Sequence, residues 1–375
     1  VTADRLFERI DRIRIHNLSK RYGAVHAVED LDLDIAGGEL LILIGGSGSG
    51  KTTTLRMINR LITPDTGTIT INDQDIHALD PVRLRRNIGY VIQQIGLFPH
   101  LTVRDNIGLV PRIEGWSREA ITARVRELLD LVDLPPESYI DRYPRELSGG
   151  QQQRIGLARA LVMDPPLLLM DEPFGALDPI LRKQLQDEFM EIKRAIGRTI
   201  IFVTHDINEA FKLGDRIAIM HDARLVQTGT PEDLIQNPKD LIVSNLVEAD
   251  RKYRHIESLR VENLMSPVPG RYLFDAGAGA GPSFESMMAH DTGMAIVMDD
   301  GEILGIVSRR DLYQARHEEV TLGDLAREPL RFSTADPVMS ALGEMKRTGA
   351  SFALVTEGDR LRGLFIPDEV MLRLI

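Results

Sequence analysis

Between Leu40 and Leu61 the chain reads LLILIGGSGSGKTTTLRMINRL, and no other stretch restricts so tightly what it can fold into. LLILI is a short apolar run of β-formers and reads as a buried strand. TTTLRMINRL carries Leu55, Ile58, Asn59 and Leu61 at helical spacing and reads as the opening of a helix. Between them, Gly45 to Thr52 fits G-x-x-x-x-G-K-S/T in the strand–loop–helix setting that the pattern needs. Glycines let successive backbone N–H groups converge on an anion, and the helix N-terminus adds its positive end. Lys51 is then placed to reach the β- and γ-phosphates of a nucleotide, and the Thr52 hydroxyl to ligate Mg²⁺. The bland alternative is a flexible Gly/Ser loop ahead of a lysine.

The rest of the chain alternates strands and helices. RIRIHNLSKRY, LDLDI, TITIND, LLLM and TIIFVTH read as strands, and RIAIM with ARLVQTG as a hairpin. From Gly96 to Asp133 the pattern is helical, with Ile121, Val125, Leu128, Leu129 and Val132 on one face. An α/β core with a helical subdomain follows. The chain has 375 residues, enough for two or three domains. Its net charge of −11 argues against nucleic acid as a partner. No cysteine is present, so disulfides and thiolate metal sites are excluded. No apolar run approaches a bilayer-spanning length, and VTADRLFERIDR has no apolar core of a secretion signal. In that opening stretch Leu6, Phe7 and Ile10 share one helical face, which would pack on the domain itself.

Further motifs surround the loop. LLLMDEP sets Asp171 and Glu172 at the end of a buried strand, where one carboxylate can hold Mg²⁺ and its neighbour polarise water; a helix-capping acidic pair is the other reading. LSGGQQQRIGLARAL opens a helix at its glycines behind Ser148, which by itself is an N-cap.

Together these residues resemble the ATP-binding-cassette ATPases over about residues 12–235. The phosphate loop, LSGGQ (Leu147 to Gln151), Asp171-Glu172, GALD (Gly175 to Asp178) and His205 stand in that family's order. Gln93 stands at the glutamine loop and Tyr22 at the aromatic that stacks on adenine. The resemblance implies an ABC-type P-loop NTPase core binding ATP and Mg²⁺. Gly46, Ser47, Gly48, Ser49, Gly50, Lys51, Thr52 and Thr53 would hold the phosphates, and Thr52, Gln93 and Asp171 the metal. Glu172 would be the catalytic base, with Gln93 and His205 beside it. Ser148 and Gly150 would act on the ATP of a second cassette, which makes a homodimer the default, and Gly149, Gln151 and Asp178 would belong to the nucleotide-binding set. Gly46 departs from the family's commoner proline, and Gln93-Gln94 is a tandem.

The absence of coiled-coil inserts, of a basic charge and of a membrane domain favours the ATPase chain of a bacterial importer. It would sit at the cytoplasmic face of the plasma membrane, bound to permease subunits and, through them, served by an extracellular or periplasmic substrate-binding protein. Ile95, Leu97 and Phe98 beside the glutamine loop would receive a permease helix, unless they simply pack the subdomain.

After about Asp240 the texture changes to a charged linker (241–257) and a duplicated tail (258–317 and 318–375), in which AIVMDDGEILGIVSRRDL and FALVTEGDRLRGLFIPDEV correspond. The tail resembles a tandem CBS module of α+β type. Cassette plus CBS tail resembles the ATPases of glycine betaine, carnitine and choline importers. An importer for another solute such as an amino acid, or an adenylate-sensing protein with weak ATPase activity, are the rival readings. Ser308, Arg309, Arg310 and Asp311 keep a CBS pattern for an adenine nucleotide or cyclic dinucleotide, whereas Ile366, Pro367 and Glu369 leave the second copy degraded. A purely structural dimerisation disc, or an ionic-strength sensor through Arg251, Lys252, Arg254 and His255, would serve the same tail. FDAGAGAGPS (274–283), rich in Gly and Ala, predicts a mobile loop.

Overall fold

The computed structural model describes residues 5–93, 96–175, 177–358 and 360–374. Contacts divide the chain into Val1–Asp250 and Arg251–Ile375. In the first unit β1 (Arg12–Tyr22) and β2 (Val25–Ala36) pair antiparallel across Gly23, whose φ is 60°. They are followed by β3 (Leu40–Ile44), β4 (Thr66–Ile71), β5 (Gln74–Asp75), β6 (Ile88–Val91), β7 (Leu167–Asp171), β8 (Thr199–Thr204), β9 (Arg216–His221) and β10 (Arg224–Gly229). Among the described residues these form an antiparallel sheet, β2-β1-β4-β5, and a larger sheet, β10-β9-β3-β8-β7-β6. In the larger sheet all strands run parallel except β10.

Every residue of β3, β7 and β8 is buried, as central parallel strands covered on both faces require. Register places Ile44 opposite Thr204 and Asp171 opposite Val203. The phosphate loop after β3, Glu172 after β7 and His205 after β8 therefore leave one edge of the sheet. That edge, the carboxyl ends of the strands, is where open parallel sheets bind ligands. Between β6 and β7 stand the helices Val103–Ile107, Leu109–Ile113, Arg118–Leu131, Pro136–Tyr139 and Gly149–Leu161. Val125, Leu128, Leu129 and Val132 are buried there, and Ile121 packs against the same core.

Three expectations are overturned. Residues 5–11 form no helix; Phe7 and Ile10 are buried in an irregular strap. The Leu6 N–H donates to Asn87 Oδ1 at 3.0 Å and the Asp11 N–H to Asn72 Oδ1 at 2.8 Å. A helix this short has a costly nucleus and loses to tertiary partners. The phosphate-loop helix stops at Ile58, which leaves Leu61 outside it and 50% exposed. The segment 274–283 is not a single loop: it comprises the end of a strand, a turn and the start of a helix. Asp275 Oδ1 accepts the Gly277 N–H at 2.8 Å, and a Cβ on Gly281 would lie 2.9 Å from the Arg316 carbonyl, so small residues serve close packing there.

In the second unit, β11 (Leu273–Asp275), β12 (Met294–Asp299) and β13 (Glu302–Ser308) make one sheet, and β14 (Arg331–Ser333), β15 (Ala353–Glu357) and β16 (Arg360–Phe365) another. Each has a parallel pair followed by an antiparallel one. The helices Arg309–Ala315 and Pro367–Leu374 follow β13 and β16. The two repeats also exchange edges, since Ser266 bridges to Leu364 on β16 and Arg327 to Ile306 on β13.

Candidate functional site

The loop from Gly45 to Gly50 joins β3 to the helix Lys51–Ile58. Gly50 takes φ 99°, and a Cβ there would meet the Ala27 carbonyl at 2.3 Å. A Cβ on Gly45 would lie 2.1 Å from the Met220 carbonyl, so glycine is obligatory at both. At Gly46 a Cβ meets open space, so its departure from proline has no packing cost. Ser47 and Gly48 are exposed, Ser49 is buried, and Thr52 and Thr53 are half-buried. Lys51 is only 6% exposed, and its Nζ donates to the carbonyls of Gly45 (2.7 Å) and Gly46 (2.8 Å) and to Ser49 Oγ (3.3 Å). Burial pulls its pKa down, opposed by the charges of Glu172 and Asp171.

Asp171 ends β7 and receives the Thr52 hydroxyl at 2.9 Å. Burial pushes its carboxyl up, and that hydrogen bond pulls it back. Glu172 has φ 46°, a left-handed backbone that a side chain of its size rarely adopts. Its N–H is held by the Val203 carbonyl at 2.9 Å. Two residues on, Phe174 locks into Phe189 and Phe202 with ring centroids 6.1 and 5.9 Å away. This packing sustains the strained turn and aims the carboxylate at two partners. Gln93 Nε2 donates to Glu172 Oε2 at 3.0 Å, and His205 Nδ1 lies 3.1 Å from the same oxygen. The structure thus brings together Lys51, Thr52, Gln93, Asp171, Glu172 and His205. The hydroxyl, carboxylate and amide oxygens of Thr52, Asp171 and Gln93 are hard donors suited to Mg²⁺.

Tyr22 ends β1 half-exposed, with the Lys20 ammonium 5.7 Å from its ring. Ser148 and Gln151 form a capping box on the helix Gly149–Leu161. Ser148 and Gly149 are exposed, whereas Gly150 is buried where a Cβ would touch Leu181 at 2.8 Å. Asp178 caps the helix Pro179–Ile196 through the Leu181 N–H at 3.1 Å. Phe98 is 42% exposed and Leu97 packs against the core. Gln94, Ile95 and Ala176 lie outside the described residues, as do the side chains of Arg251, Lys252, Arg254 and His255.

In the tail, Ser308 caps the helix Arg309–Ala315, its hydroxyl 2.7 Å from Asp311 Oδ2. A cleft of about 490 Å³ is lined by Ile306, Ser308, Arg310, Asp311, Gln314 and Arg327, among others. Arg327, which the sequence analysis missed, donates to Asp311 Oδ1 at 3.1 Å. Extending the duplication back to NLMSP and DLAREP would have found it. Arg309 instead pairs with Asp291 at 3.2 Å. In the second repeat Glu369 accepts from the Ser266 hydroxyl, which also receives Arg373 at 3.1 Å.

Comparison with known proteins matches residues 28–175 to the ABC transporter family and residues 284–318 to the CBS domain. The chain is 47% identical over 321 residues to the glycine betaine/carnitine/choline transport ATP-binding protein of Bacillus subtilis, covering 85% of this chain and 84% of that one. It is 44% identical to the carnitine transport ATP-binding protein of Listeria monocytogenes, covering 93% and 88%. It is 40% identical to the osmoprotectant import ATP-binding protein of Salmonella typhimurium, covering 96% and 95%. Among solved structures, a dimeric bacterial ABC transporter cassette superposes with a TM-score of 0.53 at 35% identity, covering 58% of this chain and 98% of that one.

Proposed function

The chain belongs to the ABC transporter ATP-binding proteins, and from that membership we propose that it powers a binding-protein-dependent importer of quaternary-amine osmoprotectants, with glycine betaine, carnitine and choline as cargo. The observation that carries this reading is similarity along cassette and tail together, reaching 96% of the chain for the osmoprotectant import relative. A sensor with only weak ATPase activity is disfavoured by the intact contacts of Gln93 and His205 on Glu172.

The residues supply a mechanism. On ATP binding, Lys51 exchanges the Gly45 and Gly46 carbonyls for phosphate oxygens, and the loop amides complete the cradle. Thr52, Asp171 and Gln93 would hold Mg²⁺, which when bound neutralises charge on the phosphates. The Glu172 carboxylate orients the attacking water and accepts its proton, and His205 steadies that carboxylate and the γ-phosphate. Two chains sandwich two nucleotides. Ser148 and Gly149, exposed at a helix N-terminus, would meet the partner's ATP, and Gly150 lets that helix pack on Leu181. Asp178 and Gln151 act from beside them. Leu97 and Phe98 would seat the permease. Among the described residues no helix is long and apolar enough to cross a membrane, so the proposed place at the cytoplasmic face depends on permease subunits.

The test is uptake of labelled glycine betaine, carnitine and choline in cells lacking this gene, with and without the complementing chain, before and after a salt upshift. Salt-stimulated uptake restored only by a chain with intact Glu172 is the expected result. No difference for any of the three would move the cargo to another small solute.

For the tail, the cleft at Ser308, Arg310 and Asp311 is read as a site for an adenine nucleotide or cyclic dinucleotide, one per chain, because Ile366 in the second repeat replaces the hydroxyl of Ser308 and Pro367 removes a donor. With the cassette site silenced by Lys51→Met, Asp311→Ala should weaken binding of labelled AMP or cyclic di-AMP by at least about tenfold, the worth of one charge-assisted hydrogen bond. Equal binding would leave the tail as a structural disc.

A further inference from the structure

The helix Pro179–Ile196 begins at Asp178, the end of the GALD loop, and the helix Ile207–Leu213 begins at Asp206, the residue after His205. Two rungs join these helices. Arg182 Nη1 donates to Asp206 Oδ2 at 3.2 Å, while Nη2 reaches back to the Leu177 carbonyl at 3.1 Å. One turn on, Gln186 Nε2 donates to Glu209 Oε1 at 3.0 Å, and Lys212 Nζ closes on Gln186 Oε1 at 3.3 Å. Gln186 and Glu209 are 7% and 4% exposed, so the second rung is shielded from water. Burial pushes the Glu209 carboxyl up to about 6, against the pull of Thr204 and Gln186.

Asp206 divides its oxygens. Oδ1 accepts the N–H groups of Asn208 and Glu209, and Oδ2 takes Arg182. Its own N–H is fixed on Thr204 Oγ1 at 3.0 Å. The backbone at His205 is therefore clamped on both sides, and Arg182, the cation that holds Asp206, also grips Leu177, the residue before Asp178. A shift of that loop pulls on Asp206 and moves His205 against Glu172, where a few tenths of an ångström decide a hydrogen bond. Arg182 Nε is buried without a partner among the described residues. The guanidinium therefore has a spare donor and can change its grip without being released.

We propose that Arg182 is a positioning residue that couples the loop ending at Asp178 to His205, so that docking of a second cassette on that loop aligns the histidine with Glu172. The proposal rests on the reading of Glu172 and His205 as the hydrolytic pair.

The test uses the full chain carrying Arg182→Met or Arg182→Lys. Methionine keeps an apolar stem without donors, and lysine keeps the charge without the planar fork that spans Asp206 and Leu177. ATP turnover against ATP concentration is measured beside equilibrium ATP binding. Loss of the paired hydrogen bonds should lower kcat about tenfold in Arg182→Met while ATP affinity stays within about twofold. The Hill coefficient should fall toward about one, since the coupling between sites is what has been cut. Arg182→Lys should recover part of kcat. An unchanged kcat in Arg182→Met, or ATP affinity falling in step with kcat, overturns the proposal. If the methionine variant does not fold, an unchanged kcat in Arg182→Lys overturns it equally. Turnover surviving Glu172→Gln overturns the hydrolytic reading and the coupling with it. Turnover lost there but intact in Arg182→Met overturns the coupling alone.

Discussion

Replacing Glu172 with glutamine should cut steady-state ATP turnover by about a thousandfold, the range expected for losing a positioned general base, while ATP remains bound. Glutamine has almost the same shape, so the left-handed turn and its hold through Val203 and Phe174 persist. Its amide oxygen still accepts from Gln93, and what it cannot do is take a proton from water. The lost step comes after nucleotide binding, so the ATP-bound state accumulates. In a two-chain sandwich that state is the dimer, and its accumulation separates this substitution from one that damages the fold. Phosphate release at saturating ATP, with size-exclusion chromatography in ATP and in ADP, reads both effects. Loss of turnover with an ATP-dependent dimer is the expected pair of results. Full turnover would remove Glu172 from the base role and turn attention to the other groups around its Oε2, Gln93 and His205.

What the sequence disclosed is what local chemistry dictates. The phosphate loop was legible because glycine spacing, a strand before it and a helix after it are all local. Asp171 and Glu172 were legible as strand-end carboxylates because LLLM can only be a buried run. That three strand ends converge on one edge follows from parallel register, which the alternation of strands and helices already implied. The failures are non-local. Leu6, Phe7 and Ile10 match a helical face, yet Asn72 and Asn87 pin that stretch as a strap. The Gly/Ala run at 274–283 suggested mobility because composition cannot register that Arg316 passes close to Gly281. Arg327 joins Asp311 through an exchange of edges between repeats, and Arg182 joins two motifs that are 27 residues apart (205 − 178) in the sequence. The strained backbone of Glu172 has no sequence signature, since nothing local favours a left-handed glutamate.

Lys51→Met should weaken ATP binding by about a hundredfold, about 2.8 kcal/mol, which two charge-assisted hydrogen bonds to phosphate can supply. The side chain is already enclosed, and its ammonium is held by two loop carbonyls and Ser49. Those contacts arrange the loop before nucleotide arrives, at the cost of keeping a charge where burial disfavours it. Methionine removes both the contacts and that cost, so the nucleotide-free protein should melt at nearly the same temperature. The difference should emerge with ligand present. At ATP one hundredfold above its dissociation constant, binding stabilises the parent by about 2.7 kcal/mol; with affinity a hundredfold weaker the same ATP contributes only about 0.4 kcal/mol. Thermal unfolding with and without ATP therefore isolates the phosphate contact from the packing of the loop. A variant that melts early without ATP would mean that Lys51 serves chiefly to brace Gly45 and Gly46. One that keeps the full ATP-dependent shift would mean that the loop amides hold the phosphates without it.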